Sequence, residues 1–162
     1  MNRDQERKRV CIVGGGPAGM MAGVLLARGG TDVTVIEKHA DFHRDFRGDT
    51  VHPSTLELFA ELGWLEDFLE LPHQRMEQVR VAFGEDAVTV ADFTRLPVAC
   101  RFIAFVPQWD FLSFLESRAR GLPTFTLLRS TEVTALLGDG DAVTGVRARR
   151  GEHELRIEAD LV

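Results

Sequence analysis

The stretch from Val10 to Gly19 reads VCIVGGGPAG and decides the fold. Its first four residues are apolar and predict a short buried strand, and the three glycines that follow end that strand in a tight turn. Residues 18–28 then repeat apolar side chains with a helical period as far as Gly29 and Gly30, a pair that is typical of the end of a helix. The predicted order is therefore strand, glycine turn and helix.

Three glycines of this turn, Gly14, Gly16 and Gly19, have the GxGxxG spacing of a dinucleotide fingerprint. Gly14 permits the tight turn, and Gly16 lets the backbone approach a pyrophosphate with no Cβ in the way. Gly19 lets the helix pack closely on the strands. Pro17 suits the first helical turn, where no N–H is needed, and the helix N-terminus offers N–H groups and partial positive charge to phosphates.

A second strand is predicted over Asp32 to Glu37, which alternates and is rich in β-branched residues. Two parallel strands joined by a helix form a right-handed βαβ unit. Glu37 ends this strand 18 residues after Gly19, where a carboxylate can accept hydrogen bonds from both hydroxyls of an adenosine ribose. The same acid disfavours a 2′-phosphate, and therefore NADP, at this site. Gly23 is a second small residue on the helix face that meets the sheet.

The rest of the chain alternates short strands and helices. Ser54 is expected to cap a helix with Glu57 as its capping-box partner, and Gly63 is expected to end that helix. The other predicted elements are helical turns over 64–69, strands over 78–83 and 87–93 around the turn 84–86, a strand over 102–106, a helix over 108–120, a strand over 124–128, and a three-stranded antiparallel meander over 132–157.

Composition argues against several classes of protein. The chain has 162 residues, 44% of them hydrophobic, which suits one domain. Its 25 acidic and 19 basic residues give a net charge of −6, and the arginines are scattered, so nucleic acid is not expected as the main partner. The charged N-terminus runs into a four-residue apolar strand without a signal peptide or membrane span, and we therefore expect a cytoplasmic protein with no membrane partner.

The cysteines and histidines do not have the spacing of a metal site. Cys11 and Cys100 lie in apolar runs without CxxC or Cys/His spacing, so neither a disulfide framework nor a zinc site is expected, and Cys11 is interpreted as a buried strand residue. His39, His43 and His52 lie in a polar loop and are interpreted as surface or structural residues. We assign no metal.

Two segments resemble known flavoproteins. The run from Val10 to Lys38 resembles the N-terminal unit of the glutathione-reductase-like FAD proteins. The stretch from Arg47 to Gly63, RGDTVHPSTLELFAELG, resembles the segment after the second strand in p-hydroxybenzoate-hydroxylase-like, class A aromatic flavoprotein monooxygenases. The resemblance implies an α/β fold, namely a Rossmann-type βαβ FAD-binding domain of the glutathione-reductase type with an antiparallel β-meander and the start of a substrate-domain sheet.

The resemblance also implies which residues bind the cofactor. Arg47 matches an arginine that contacts FAD, with Arg44 as the alternative if the loop register differs, and Gln108 matches a glutamine that reaches the ribityl chain. The alternative for Arg47 is a surface ion pair with Asp45 or Asp49, and the alternative for Gln108 is a plain helix N-terminal residue. No catalytic acid or base is assigned, because the chemistry belongs to the cofactor. With the residues of the glycine fingerprint and its acid, the expected cofactor-binding set is Gly14, Gly16, Pro17, Ala18, Gly19, Glu37, Lys38, Arg47 and Gln108.

The resemblance covers nearly the whole chain and implies one FAD-binding domain over 1–162, with partial substrate-domain strands inserted at 76–106. The last residues, 157–162, resemble the strand that leads, in that family, into a Gly-Ala-Asp-Gly motif. This motif and a later Gly-Asp motif are absent from the sequence. The expectation is therefore an N-terminal portion of a longer enzyme.

The function implied by the resemblance is that of the FAD-binding portion of an NAD(P)H-dependent flavin monooxygenase, which hydroxylates a small aromatic or phenolic substrate. One alternative is another FAD oxidoreductase, such as a halogenase, an epoxidase or a reductase. The other is a non-catalytic, truncated nucleotide-binding module. Bound flavin with NAD(P)H oxidase activity favours the enzyme, whereas a colourless protein that binds ADP weakly favours the module. The identity of the substrate, the choice between NADH and NADPH, and the oligomeric state do not follow from the sequence.

Overall fold

The computed structural model describes residues 8–43, 49–84, 86–140 and 142–162. The chain divides into two compact units, Met1–His43 with Leu112–Val162, and Arg44–Phe111. Its strands and α-helices in chain order are β1 (Arg9–Val13), α1 (Pro17–Arg28), β2 (Asp32–Ile36), β3 (Thr50–Val51), α2 (Pro53–Glu61), α3 (Leu65–Leu69), β4 (Gln74–Met76), β5 (Gln78–Phe83), β6 (Asp86–Asp92), β7 (Ile103–Phe105), α4 (Gln108–Ala119), β8 (Phe125–Leu128), β9 (Glu132–Asp139), β10 (Ala142–Arg150) and β11 (His153–Glu158), and a 3₁₀ helix (Phe93–Arg95) follows β6.

The first unit is built on the parallel strands β1 and β2, which α1 joins. Cys11 pairs with Thr34 at the centre of this ladder, and β8 lies parallel to β2 on its other side, so the strand order is β1-β2-β8. The helix buries one stripe of small and apolar side chains, consisting of Met20, Gly23, Val24 and Ala27. The βαβ unit expected from the sequence is therefore confirmed.

An antiparallel meander of β9, β10 and β11 completes the first unit, with the strand order β11-β10-β9. Cys11 and Ile36 pack with Val146 and Ala159 in one buried cluster that joins the parallel strands to the end of the meander. Beyond β11, Leu161 forms a parallel bridge with β1, and its carbonyl accepts the Cys11 N–H at 2.9 Å. The meander expected from the sequence is confirmed.

The second unit contains the antiparallel sheet β3-β7-β4 and the hairpin of β5 and β6. Its core is aromatic. The Phe59 ring lies 4.8 Å from that of Phe68 and 6.0 Å from that of Phe111, centroid to centroid, and Phe59 and Phe68 are fully buried. Offset and edge-to-face ring pairs of this kind add to the stabilisation that burial itself provides.

The start of α2 differs from the sequence expectation. Pro53 occupies the first helical position and His52 is the N-cap residue, so the capping box expected from Ser54 and Glu57 is wrong. The fixed φ of proline suits the first helical position, where its missing N–H is not needed. The Glu57 carboxylate accepts the Ala99 N–H at 2.9 Å instead.

Candidate cofactor-binding site

The loop between β1 and α1 turns sharply at Gly14. This residue has a φ of +111°, which residues with a Cβ rarely adopt, and its N–H donates to the Ile36 carbonyl at 2.8 Å. Gly16 then caps α1 in an extended conformation, and its carbonyl accepts the Met20 N–H at 2.9 Å. The tight turn expected at Gly14 is confirmed, and it lets α1 begin directly after β1.

Two glycines bring α1 close to the turn and to the strands. A Cβ on Gly19 would lie 2.0 Å from the Gly14 carbonyl oxygen, and a Cβ on Gly23 would lie 2.7 Å from Val35 Cγ2. Neither position accepts a side chain unless the backbone or the neighbouring strand moves. The close packing expected at both residues is confirmed.

The N-terminal end of α1 opens outward. A Cβ placed on Gly16 meets no described atom within 4 Å, and Pro17 and Ala18 are exposed. Among the described residues, no side chain caps this end of the helix. The N–H groups of a first turn have no partner within their own helix, and the helix dipole places partial positive charge there. This end is therefore suited to a phosphate group.

Glu37 lies just after β2 and is buried, with 3% of its surface exposed. Its Oε2 accepts the Gly15 N–H at 2.8 Å, and its Oε1 accepts the His39 N–H at 2.9 Å and contacts the ring Nδ1 of the same histidine. A Cβ on Gly15 would lie 2.9 Å from the Glu37 Cβ. The carboxylate is therefore held directly against the glycine loop, in a place where a larger residue 15 would displace it.

The connection between β8 and β9 fixes the backbone around Glu37. The Glu37 N–H donates to the Leu128 carbonyl at 2.8 Å, and the Glu37 carbonyl accepts the Thr131 N–H at 3.0 Å. The His39 carbonyl accepts the Ser130 N–H at 3.0 Å. Hydrogen bonds thus hold this segment both at the Glu37 carboxylate and along the backbone of residues 37 and 39.

Cys11 lies in the strand that leads into the glycine loop and is 2% exposed. Burial raises the pKa of its thiol above the ordinary value. Because the thiolate is the reactive form, this cysteine is an inert core residue. The interpretation of Cys11 as a buried strand residue is confirmed.

The other residues expected to bind the cofactor lie at several places. Lys38 is exposed and directly follows Glu37. Gln108 is the first residue of α4, is half-buried and belongs to the second unit. Arg47 and its alternative Arg44 lie outside the described residues. The geometry that can be described therefore joins Gly14 to Gly19 with Glu37.

Sequence reasoning missed two residues of this arrangement. Gly15 is the x between the first two fingerprint glycines, and its N–H bonds the Glu37 carboxylate. His39 was grouped with other loop histidines, although its ring contacts that carboxylate. Its position two residues after the acid is the signal that could have found it, because a side chain there can turn back onto residue 37.

Within the described ranges, no three His, Cys, Asp or Glu residues are grouped as metal ligands would be. No helix in these ranges is both long and apolar enough to cross a membrane.

The comparisons with known proteins give one family model and several relatives. The family model described as FAD binding domain matches residues 7–162. The chain is 33% identical over 153 residues to the 6-methylpretetramide 4-monooxygenase of Streptomyces rimosus, and the match covers 94% of this chain and 37% of that protein. It is 29% identical over 133 residues to the tryptophan 2-halogenase of Chondromyces crocatus, a match that covers 82% of this chain and 24% of that protein.

The fold is also shared with solved structures. The anhydrotetracycline hydroxylase OxyS from Streptomyces rimosus matches with a TM-score of 0.78 and 32% identity, over 96% of this chain and 31% of that one. The mixed α/β fold expected from the sequence is thus confirmed. The chain spans less than half the length of each of these three proteins.

Proposed function

The chain belongs to the family of FAD binding domains, and from this premise we propose that it holds the ADP half of FAD at the loop between β1 and α1. The observation that carries the proposal is the joining of this loop to a buried acid: the Gly15 N–H bonds the Glu37 carboxylate at 2.8 Å, beside the open N-terminus of α1. A site for phosphates and a site for a diol thus lie next to each other, as they do in ADP.

The residues fit FAD in three ways. Gly16 leaves open space where a phosphate must approach the backbone. The first turn of α1 supplies N–H groups and partial positive charge to the pyrophosphate. Glu37 presents a buried carboxylate to the ribose hydroxyls. FAD supplies redox chemistry when bound, taking electrons from a nicotinamide and passing them to O₂, and the chain's part is to bind and orient it.

We assign secondary roles to five further residues, of which Arg47 and Gln108 follow from the family resemblance. Pro17 and Ala18 line the open helix N-terminus, and Lys38 flanks the acid. Gln108 is proposed to reach the ribityl chain, and Arg47 is the proposed further contact to FAD. No catalytic acid or base is proposed.

The stretch 76–106 is proposed to contribute strands to a substrate domain. The hairpin of β5 and β6 supports this, because Val81 and Val88 pair across it and share one face with alternating apolar neighbours. These side chains are exposed, at 38% for Val81, 64% for Phe83, 51% for Val88 and 58% for Val90. An exposed apolar face of this kind is typical of a surface that other structure covers.

For the whole protein we propose an NAD(P)H-dependent monooxygenase that hydroxylates a small aromatic substrate. Its support is the similarity to a 6-methylpretetramide 4-monooxygenase and to an anhydrotetracycline hydroxylase. A second candidate is a halogenase, which the similarity to a tryptophan 2-halogenase favours. The protein is to be incubated with FAD, NADH or NADPH and phenols, with and without chloride, and the products weighed by mass spectrometry. A gain of one oxygen supports the hydroxylase, a gain of halogen supports the halogenase, and retained flavin without product supports a nucleotide-binding module.

The cofactor site is tested by replacing Gly16. Gly16→Val puts a branched side chain where the phosphates approach and keeps them away from the backbone N–H groups. We expect FAD affinity to fall by about tenfold or more, since the loss of one charge-assisted hydrogen bond costs roughly 1.5–3 kcal/mol. The measurement is the flavin absorbance that the chain retains after incubation with FAD and desalting. Gly121→Val is the matched control, because a Cβ there also meets no described atom within 4 Å. Equal flavin retention by the two variants contradicts the assignment.

A further inference from the structure

The Glu37 carboxylate is held from two sides, and the glycine loop provides only one of them. Gly15 bonds Oε2, while the backbone and the ring of His39 both contact Oε1. We propose that His39 is a positioning residue, which sets the orientation of Glu37 for the two hydroxyls of a ribose. This inference rests on the proposed binding of the ADP half of FAD.

The chemistry of the pair fixes the role of the ring. In the ionised form that accepts ribose hydroxyls, the carboxylate only accepts hydrogen bonds, and we therefore assign the proton to the His39 Nδ1, 2.5 Å from Oε1, as the donor. This holds for the neutral Nδ1–H ring and for the imidazolium alike. The side chain of Glu37 is 4% exposed and that of His39 is 43% exposed. The histidine thus reaches from solvent onto a buried acid, where a hydrogen bond to a charged group is strong.

Hydrogen bonds hold the backbone of both His39 and Glu37. The Ser130 N–H donates to the His39 carbonyl at 3.0 Å, and Ser130 adopts a φ of +54°, which is uncommon for a residue other than glycine. The Thr131 N–H donates to the Glu37 carbonyl in the same connection. The backbone at both ends of the pair is therefore anchored to one segment, which keeps the His39 ring within reach of the carboxylate.

Orientation matters because the last torsion of a glutamate is soft. The carboxylate rotates about a broad, two-fold torsion unless its oxygens are held. A ribose presents two neighbouring hydroxyls at fixed spacing, so both oxygens must be in place before the sugar arrives. Without the His39 ring, Oε1 keeps the backbone N–H of residue 39 but loses its side-chain donor. The expected loss is therefore one of ribose recognition.

The test compares ADP with 2′-deoxy-ADP by isothermal titration calorimetry. For His39→Ala we expect the Kd for ADP to rise about tenfold, in line with one hydrogen bond to a charged group, and the preference for ADP over 2′-deoxy-ADP to fall toward one. His39→Asn is expected to restore both, because its side-chain N–H donor stands one bond from Cγ, as Nδ1 does. His43→Ala removes a neighbouring exposed histidine and is expected to match the original chain, with circular dichroism confirming that every variant folds.

The outcomes distinguish failure of the His39 role from failure of the proposed binding of the ADP half of FAD. If the original chain does not prefer ADP to 2′-deoxy-ADP, the ribose role of Glu37 fails, and the role of His39 fails with it. If the preference exists but His39→Ala keeps it, whether ADP binds equally, more weakly or more tightly, only the positioning role is overturned. Failure of His39→Asn to restore the preference also overturns that role. Loss in the alanine variant with restoration in the asparagine variant supports it.

Discussion

At the scale of one residue, Gly19 shows why the fingerprint needs a glycine for the close packing of α1. The Gly14 carbonyl oxygen occupies the place where its Cβ would lie, at 2.0 Å, and this oxygen belongs to a backbone already fixed by the Gly14 N–H bond to β2. A backbone atom cannot rotate out of the way as a side chain can. The third glycine of the motif is thus a packing residue, whereas Gly16 has open space beside it, where we propose that a phosphate approaches.

We expect Gly19→Ala to lower the free energy of unfolding by about 1–3 kcal/mol, the usual cost of inserting a methyl group into a packed site. The measurement is urea denaturation followed by circular dichroism. Gly121→Ala is the control, because a Cβ there meets no described atom within 4 Å, and we expect it to change stability by less than about 0.5 kcal/mol. Equal stability of the two variants would mean that α1 does not approach the turn as closely as the structure shows.

Among the elements, those set by local pattern could be predicted and those set by distant partners could not. The period of residues 18–28 and the glycines around them define α1 within one residue of its observed start. The sequence prediction misplaces the start of α2. Serine is a favourable N-cap residue type, but Pro53, which precedes Ser54, already occupies the first helical position. The pairing of β8 with β2 joins segments far apart in the sequence, which no local pattern specifies.

Besides the Leu161 bridge, Asp160 also ties the segment after β11 to β1. Asp160 Oδ2 accepts the Arg9 N–H at 2.8 Å, and the Asp160 N–H donates to the Arg9 carbonyl at 2.8 Å. The backbone hydrogen bond from Arg9, together with the charge of that arginine, holds the pKa of Asp160 below its ordinary value. The negative form of this carboxyl is therefore the one that the folded chain favours.

This pKa shift predicts how stability depends on pH. A folded pKa below the unfolded value means that the contribution of Asp160 is complete above the unfolded pKa and is lost as the pH falls through the lower, folded pKa. We expect Asp160→Asn to be less stable than the original chain at neutral pH, and the difference to shrink below the ordinary aspartate value of 3.8. Urea midpoints measured from neutral to acid pH check this, with Glu154→Gln, an exposed carboxylate on β11, as the control. A difference that is constant with pH would contradict the role of the charge.

Over the whole molecule, the loop, its acid and the segment that supports them all belong to the first unit. The sequence was enough to predict the glycine loop and Glu37, because their spacing is a known pattern with a physical reason for each residue. It was not enough to predict the link from Gly15 through Glu37 to His39. That link depends on the direction of one side chain and on a bond from the connection between β8 and β9, more than 90 residues further along.

The central claim is that the ADP half of FAD binds where the glycine loop meets Glu37. The most direct test is a titration of ¹⁵N-labelled chain with ADP, followed by the backbone amide resonances. We expect the largest shifts at Gly15, Gly16, Ala18, Gly19 and residues 37–39, because their N–H groups lie in or beside the proposed site, whereas Pro17 has no N–H. Shifts concentrated on other elements, or no shifts at ADP concentrations that saturate related sites, would contradict the account.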